Sequence, residues 1–231
     1  MALNFATLKT RSITAAVFVV VMMAGLFING WLFLTLFAVI MCGAFIEFIK
    51  IIFKINKSLD IKNLLFGILY ILIPFTLLFY MAFGRWFNPI FYSPVIPAAI
   101  LFSIWINDTM AYIVGSLIGK TPFSSISPKK TWEGTIGGAI LCVGVITLLS
   151  NLILSLGNND YYRLTRNDIF IISVICAVFG TAGDLLESKF KRMAGIKDSG
   201  NIMPGHGGFL DRFDSLIVAA PFVWLYLEVV R

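Results

Sequence analysis

Apolar residues fall into seven long runs, at about 12–28, 31–46, 64–83, 94–118, 135–156, 169–186 and 213–230, and charged residues collect in the gaps between them. Each run approaches the ~20 residues a helix needs to cross the hydrocarbon core of a bilayer. The alternation of apolar and polar positions that would mark barrel strands is absent, and no internal repeat or low-complexity segment occurs. The pattern predicts an all-α polytopic integral membrane helical bundle. Seven transmembrane helices are the minimum, and seven to nine are allowed, because Asn107-Asp108 interrupts the fourth run. The 231 residues leave little for a soluble domain, so residues 1–231 are read as a single membrane domain, with N-terminal apolar helices in 1–100 and the polar motifs in 101–231.

Composition agrees. Hydrophobic residues make up 59% of the chain and charged residues 13%, against roughly 25% charged in soluble domains, and the mean hydropathy is +0.92. The net charge of +6 would suit a nucleic-acid partner if it lay on one soluble face, but the basic residues sit in short loops, which excludes that reading. Their distribution instead follows the positive-inside rule. With a cytoplasmic N-terminus, one side receives Lys9 and Arg11, then Lys50, Lys54, Lys57 and Lys62, then Lys120, Lys129 and Lys130, then the cluster from Lys189 to Arg212. The other side receives Arg85, Arg163, Arg166 and Arg231. Lys9 and Arg11 before the first run imitate a secretory signal, but no small-residue cleavage pattern follows, so an uncleaved first helix is expected. Cys42, Cys142 and Cys176 lie inside apolar runs without a CxxC or Cys/His spacing and are expected to be buried free thiols.

Candidate chemistry gathers in three places. In the first, Asp108, Tyr112 and Gly115 share one helical face and are followed by Ser127-Pro128-Lys129-Lys130-Thr131 and a glycine-rich helix start; an intramembrane aspartate is a functional candidate, whereas Lys129 and Lys130 fit ligand binding and a positive-inside loop equally. In the second, Asp184, Glu187, Ser188 and Lys191 fall at i, i+3, i+4 and i+7, so one face carries carboxylates, a hydroxyl and then a cation. In the third, Gly205, Gly207 and Gly208 allow close backbone approach to an anion, and Asp211 and Asp214 present two hard oxygen ligands as the chain re-enters the membrane. Zinc is excluded by the shortage of ligands: His206 is the only histidine, and no cysteine accompanies it.

The run Ser188-x-Phe190-Lys191-Arg192, Lys197-Asp198-x-Gly200, Pro204-x-His206-Gly207-Gly208-x-x-Asp211-Arg212-x-Asp214 resembles the signature of the phosphatidate cytidylyltransferases, also called CDP-diacylglycerol synthases. The likeness is strong over the C-terminal half, while the first hundred residues match only as hydrophobic spans. The resemblance implies transfer of CMP from CTP to phosphatidate, giving CDP-diacylglycerol and pyrophosphate for phospholipid biosynthesis. It implies Mg²⁺ as cofactor with K⁺ as a helper, a homodimer, and an active site facing the cytoplasm of a bacterial inner membrane. Asp184 and Asp211 would be the principal metal ligands, with Asp214 beside them. Lys191, Arg192, Lys197 and Arg212 would meet phosphates, with Ser188, Gly207, Gly208, Lys129, Lys130 and Asp108 completing the substrate site. His206 would either donate to a phosphate or brace the glycine loop. The competing readings are a CTP-dependent polyprenol kinase, an ether-lipid cytidylyltransferase and, from another class, an anion transporter.

Overall fold

The computed structural model describes residues 5–58, 60–85, 87–157, 162–202 and 207–231, with side chains from residue 12 onward. Among them the regular structure is helical, in the order α1 (Phe5–Phe27), α2 (Gly30–Asn56), α3 (Ile61–Gly67), α4 (Ile73–Phe83), α5 (Val95–Ile118), α6 (Trp132–Leu148), α7 (Ser150–Leu154), α8 (Arg166–Met193) and α9 (Leu210–Leu225). A wide π-turn at Ile68–Leu72 fuses α3 and α4 into one span. Its cause is Pro74 at the start of α4, which has no N–H to donate and whose ring would strike the preceding turn of a regular helix.

Five helices are long and apolar enough to cross a membrane: Gly30–Asn56, Ile61–Phe83, Val95–Ile118, Arg166–Met193 and Leu210–Val230. Ser12–Phe27 and Trp132–Leu148 are shorter apolar helices, so each of the seven runs has its helix. Asn107-Asp108 does not break α5, which continues through both residues. The run 135–156 is the one that divides, because α6 stops at Leu148 and α7 starts at Ser150. The chain is an integral membrane protein, and its outer surface fits lipid: Val20, Ile140 and Leu148 are all exposed on helices with few charges around them.

Local signals set the helix ends. Asn29 accepts from Leu32 N–H at 2.8 Å at the start of α2, Thr131 caps α6 through Gly134 N–H at 3.1 Å, and Thr165 with Asp168 forms a reciprocal capping box on α8. Small residues set the closest approaches. A Cβ on Gly138 would lie 2.6 Å from the Ala111 backbone, so α5 and α6 cross with their backbones nearly touching. The core between the helices is aromatic, with Phe33, Phe37, Phe75 and Phe213 fully buried and Phe213 in edge contact with Phe37. Two of the three thiols are buried as the sequence suggests, but Cys42 is exposed: α2 turns residues 40, 44, 47 and 48 inward, which leaves position 42 on its outer face.

The polar residues divide between two ends of the bundle. At one end Arg231 reaches Asp168 at 3.0 Å and the carbonyl of Arg163 at 2.8 Å. At the other end meet the close of α2, the 119–131 loop, the last turns of α8 and the loop before α9.

Candidate active site

Three carboxylates define the centre. Asp184 and Glu187 project from one face of α8, Asp214 comes from α9, and one oxygen of each lies within 4.8 Å of the others. Gly183 makes this possible, because a Cβ there would sit 2.5 Å from the Asp214 carbonyl. Glu187 is wholly buried, and its Oε1 has no hydrogen-bond partner among the described residues. Three acids packed this closely repel one another and lose hydration, so the arrangement calls for cations. Lys130 reaches in from the 119–131 loop to pair with Asp184, and Lys191 pairs with Glu187. Ser188 donates its hydroxyl to Asp184 at 3.3 Å.

Above this trio opens a cavity of about 700 Å³, lined among others by Asp108, Lys129, Lys130, Asp184, Lys191, Asp198, Asp211, Arg212 and Asp214. Adding Glu187 beneath it, six carboxylates face four cationic side chains, a formal excess of two negative charges. The side-chain donors of the cluster are all oxygens, which suits Mg²⁺. The donor set therefore fits the expected metal, with Glu187 Oε1 the orphaned acceptor that coordination would satisfy.

The lysines are held by backbone architecture. Glu133 accepts from the N–H of Lys120 at 3.2 Å, from the N–H of Thr121 and from its hydroxyl at 2.8 Å. Phe123 N–H donates to Lys130 O at 2.8 Å. The loop is thereby folded back so that Lys129 and Lys130 face the cavity.

Asp211 lies beside the trio rather than within it. Its Oδ1 accepts from Lys191 at 2.7 Å, and its Oδ2 from the N–H groups of Ser199 and Gly208, both at 2.8 Å. Gly207 has φ +85° and tolerates no side chain without strain, and Gly208 is buried. The Gly208 amide is thus turned toward a carboxylate of the chain itself. Arg192 and Lys197 are exposed and lie outside the cavity lining; the Arg192 guanidinium donates to Ile196 O at 3.2 Å. His206 lies outside the described residues.

Two polar residues, one in the cavity wall and one behind it, escape the sequence pattern. Asn107 lines the cavity and is buried, with Oδ1 unpartnered among the described residues; its only signal is an amide in mid-run. Glu47 is buried on α2 and accepts from Ser199 Oγ at 2.7 Å, Leu210 N–H at 2.9 Å and Phe209 N–H at 3.1 Å. Its signal was a carboxylate followed by Phe48, Ile49, Ile51, Ile52 and Phe53, an apolar continuation broken only by Lys50.

The site thus belongs to a helical membrane protein that gathers a carboxylate cluster, three lysines and an arginine around one polar cavity. Residues 59–230 match the Cytidylyltransferase family, and the chain belongs to it. It is similar to the phosphatidate cytidylyltransferase of Rickettsia bellii, with 40% identity over 169 residues that cover 71% of this chain and 69% of that protein. The Rickettsia typhi enzyme of the same name is 42% identical over 166 residues, 71% of this chain and 69% of its own length. The Staphylococcus epidermidis one is 44% identical over 125 residues, 54% of this chain, and the match spans 45% of that protein.

Proposed function

We propose that this chain is a phosphatidate cytidylyltransferase, making CDP-diacylglycerol and pyrophosphate from CTP and phosphatidate. The observation that carries the reading is the joining of Asp184, Glu187 and Asp214 with Lys129, Lys130, Lys191 and Arg212 around one cavity, in a chain of this family. A phosphate oxygen of phosphatidate is already anionic, so it attacks the α-phosphorus of CTP without a base. The new P–O bond forms as the bond to the β-phosphate oxygen breaks, and pyrophosphate leaves with the electron pair. No covalent enzyme intermediate is required.

The difficulty is electrostatic, since two anions must meet and a third departs. Lys129, Lys130 and Arg212 line the cavity and would hold phosphate oxygens in line, while Lys191, paired with Glu187 and Asp211, would keep those acids from repelling the substrate. Asp184 and Asp214, with Glu187, would hold Mg²⁺, and Asp211 stands next to them through Lys191. Bound there, the ion supplies charge neutralisation of the phosphates and of the leaving pyrophosphate. The cytoplasmic side of a bacterial inner membrane is the proposed location of the cavity, supported by the basic loops that surround it. A homodimer is proposed from the resemblance alone, and mass measurement in detergent tests it.

The deciding experiment is release of pyrophosphate from CTP by purified protein in mixed micelles, with CDP-diacylglycerol identified by mass spectrometry. Release that depends on both phosphatidate and Mg²⁺ is expected. Equal release without phosphatidate, or none with it, overturns the reading. Phosphorylation of a polyprenol with CDP as product would transfer the assignment to the kinase alternative.

A further inference from the structure

Glu47 stands apart from the residues of the cavity and the acid cluster, because it comes from α2 and lies outside residues 59–230 that match the family. Helix α9 begins at Leu210 behind Phe209, whose side chain gives it no cap. The first N–H groups of a helix need an acceptor, and in an apolar setting an unsatisfied donor is costly. Glu47 is that acceptor from 162 residues away: its Oε1 takes Phe209 N–H at 3.1 Å and its Oε2 takes Leu210 N–H at 2.9 Å. A carboxylate there also meets the positive end of the helix dipole.

The loop is shaped around this side chain. A Cβ on Gly200 or on Gly208 would collide with the Glu47 carboxylate, so glycine at both positions leaves room for it. Ser199 Oγ lies 2.7 Å from Glu47 Oε2 and 2.9 Å from Asp211 Oδ2. One hydroxyl has one proton, which is shared between two acids, while Ser199 N–H keeps a separate bond to Asp211 at 2.8 Å. Asp211 and Asp214 are the second and fifth residues of α9. Whatever fixes the first turn of that helix fixes the direction of both.

Resting on the cytidylyltransferase reading, we propose that Glu47 is a positioning residue for the reaction: from α2 it clamps the start of α9 and the Ser199 hydroxyl, and so aims Asp211 and Asp214 at the cavity. It touches no substrate. Its effect reaches the chemistry through the residues it holds.

The test is Glu47→Gln, whose amide retains one acceptor and turns an N–H₂ toward donors on the other side. Three quantities are measured on monodisperse protein in detergent: kcat with the Mg²⁺ dependence of the rate, melting temperature, and amide hydrogen exchange at Phe209 and Leu210 without substrate. Loss of a residue that orients ligands typically costs about 10- to 100-fold in metal affinity or activity, and that range is expected here, with faster exchange at both amides. A purely structural role predicts a lower melting temperature with normal kcat and normal Mg²⁺ dependence per folded molecule, and that result overturns the proposal. If Glu47→Gln cannot be recovered folded, Ser199→Ala decides, because it removes the shared proton and keeps the Ser199 N–H; an unchanged kcat and Mg²⁺ dependence in that variant would overturn it equally. Should the wild-type protein show no CTP- and phosphatidate-dependent turnover, the functional reading fails by itself. The exchange measurement then decides on Glu47, and unchanged protection at Phe209 and Leu210 refutes the clamp.

Discussion

Lys191 Nζ lies 2.7 Å from Asp211 Oδ1 and pairs at the same time with Glu187, one turn back on its own helix. One ammonium therefore joins the acid cluster of α8 to the first turn of α9. The side chains of all three are largely buried, at 11%, 8% and 0% exposure for Lys191, Asp211 and Glu187. Removing the cation strands two acids. Lys191→Gln is expected to abolish turnover and to cost about 3–5 kcal/mol of stability, the usual penalty for breaking a buried pair from one side. Added Mg²⁺ should recover part of the melting temperature, because it supplies charge to the same cluster. Arg192→Gln, an exposed position next in sequence, is expected to change stability by no more than about 0.5 kcal/mol. Thermal melts of both variants with and without Mg²⁺ check this, and equal losses would refute the distinction.

The cluster also predicts how metal binding responds to single charges. Asp184→Asn and Asp214→Asn each keep side-chain size but remove the negative charge a hard cation needs, so Mn²⁺ binding followed by electron paramagnetic resonance should weaken at least about tenfold and turnover should collapse. Glu187→Gln should weaken Mn²⁺ binding as well, since its Oε1 has no other partner among the described residues. Wild-type Mn²⁺ affinity in Asp184→Asn or Asp214→Asn would remove that residue from the metal site.

Much of this arrangement is legible in the linear sequence, for a physical reason. Asp184, Glu187, Ser188 and Lys191 are related by helical periodicity, so their common face follows from spacing alone, and the structure realises it in the Ser188–Asp184 and Lys191–Glu187 contacts. The seven apolar runs are likewise local, and each has its helix. What spacing does not give is contact between distant segments. That Lys130 pairs with Asp184, and that the amide of Gly208 turns to Asp211, depends on how loops fold back onto helices. Arg192 shows the converse: it sits beside Lys191 in sequence, yet consecutive helical residues point about 100° apart, and it faces away from the cavity. Glu47 is not legible in the linear sequence, because its partners are 152 to 163 residues away.

Close helix crossing at the acid cluster gives a stability test with an internal control. A methyl group on Gly183 would come 2.5 Å from Asp214 O and 3.1 Å from Ser215 Cα, so Gly183→Ala must push α8 and α9 apart. Overpacking of this kind costs about 1–3 kcal/mol, and here it also displaces Asp214, so activity should fall with stability. Gly144 in α6 has nothing within 4 Å of its added methyl group. Gly144→Ala should therefore raise stability by roughly 0.5–1 kcal/mol, through helix propensity alone, with activity unchanged. Melting temperatures and turnover of the two variants settle the matter, and a tolerated Gly183→Ala would mean that the cluster does not depend on that crossing.

The two polar ends of the bundle lead to a test of membrane orientation. Lys130 pairs with Asp184 on α8, Lys191 of the same helix pairs with Asp211, and Ser199 bonds to both Asp211 and Glu47, which ties the 119–131 loop, the loop before α9 and the end of α2 together. Asp168, which holds Arg231, lies near the opposite end of the same helix that carries Lys191. The 23 helical steps from Asp168 to Lys191 rise about 35 Å at 1.5 Å each, more than the ~30 Å hydrocarbon thickness, so α8 is long enough to set the two groups at opposite faces of a membrane. Single cysteines at Lys54, Lys129 and Lys197, placed in a chain with Cys42, Cys142 and Cys176 replaced, are expected to react with an impermeant maleimide from the cytoplasmic side of oriented vesicles. A cysteine at Arg163 is expected to react from the other side only. Labelling of 129 and 197 from opposite sides would break the single cavity, because Lys130 and Arg212 would then be unable to serve the same phosphates. Labelling of all three from the periplasmic side would keep the cavity whole and reverse its orientation, which would remove cytoplasmic CTP as its substrate.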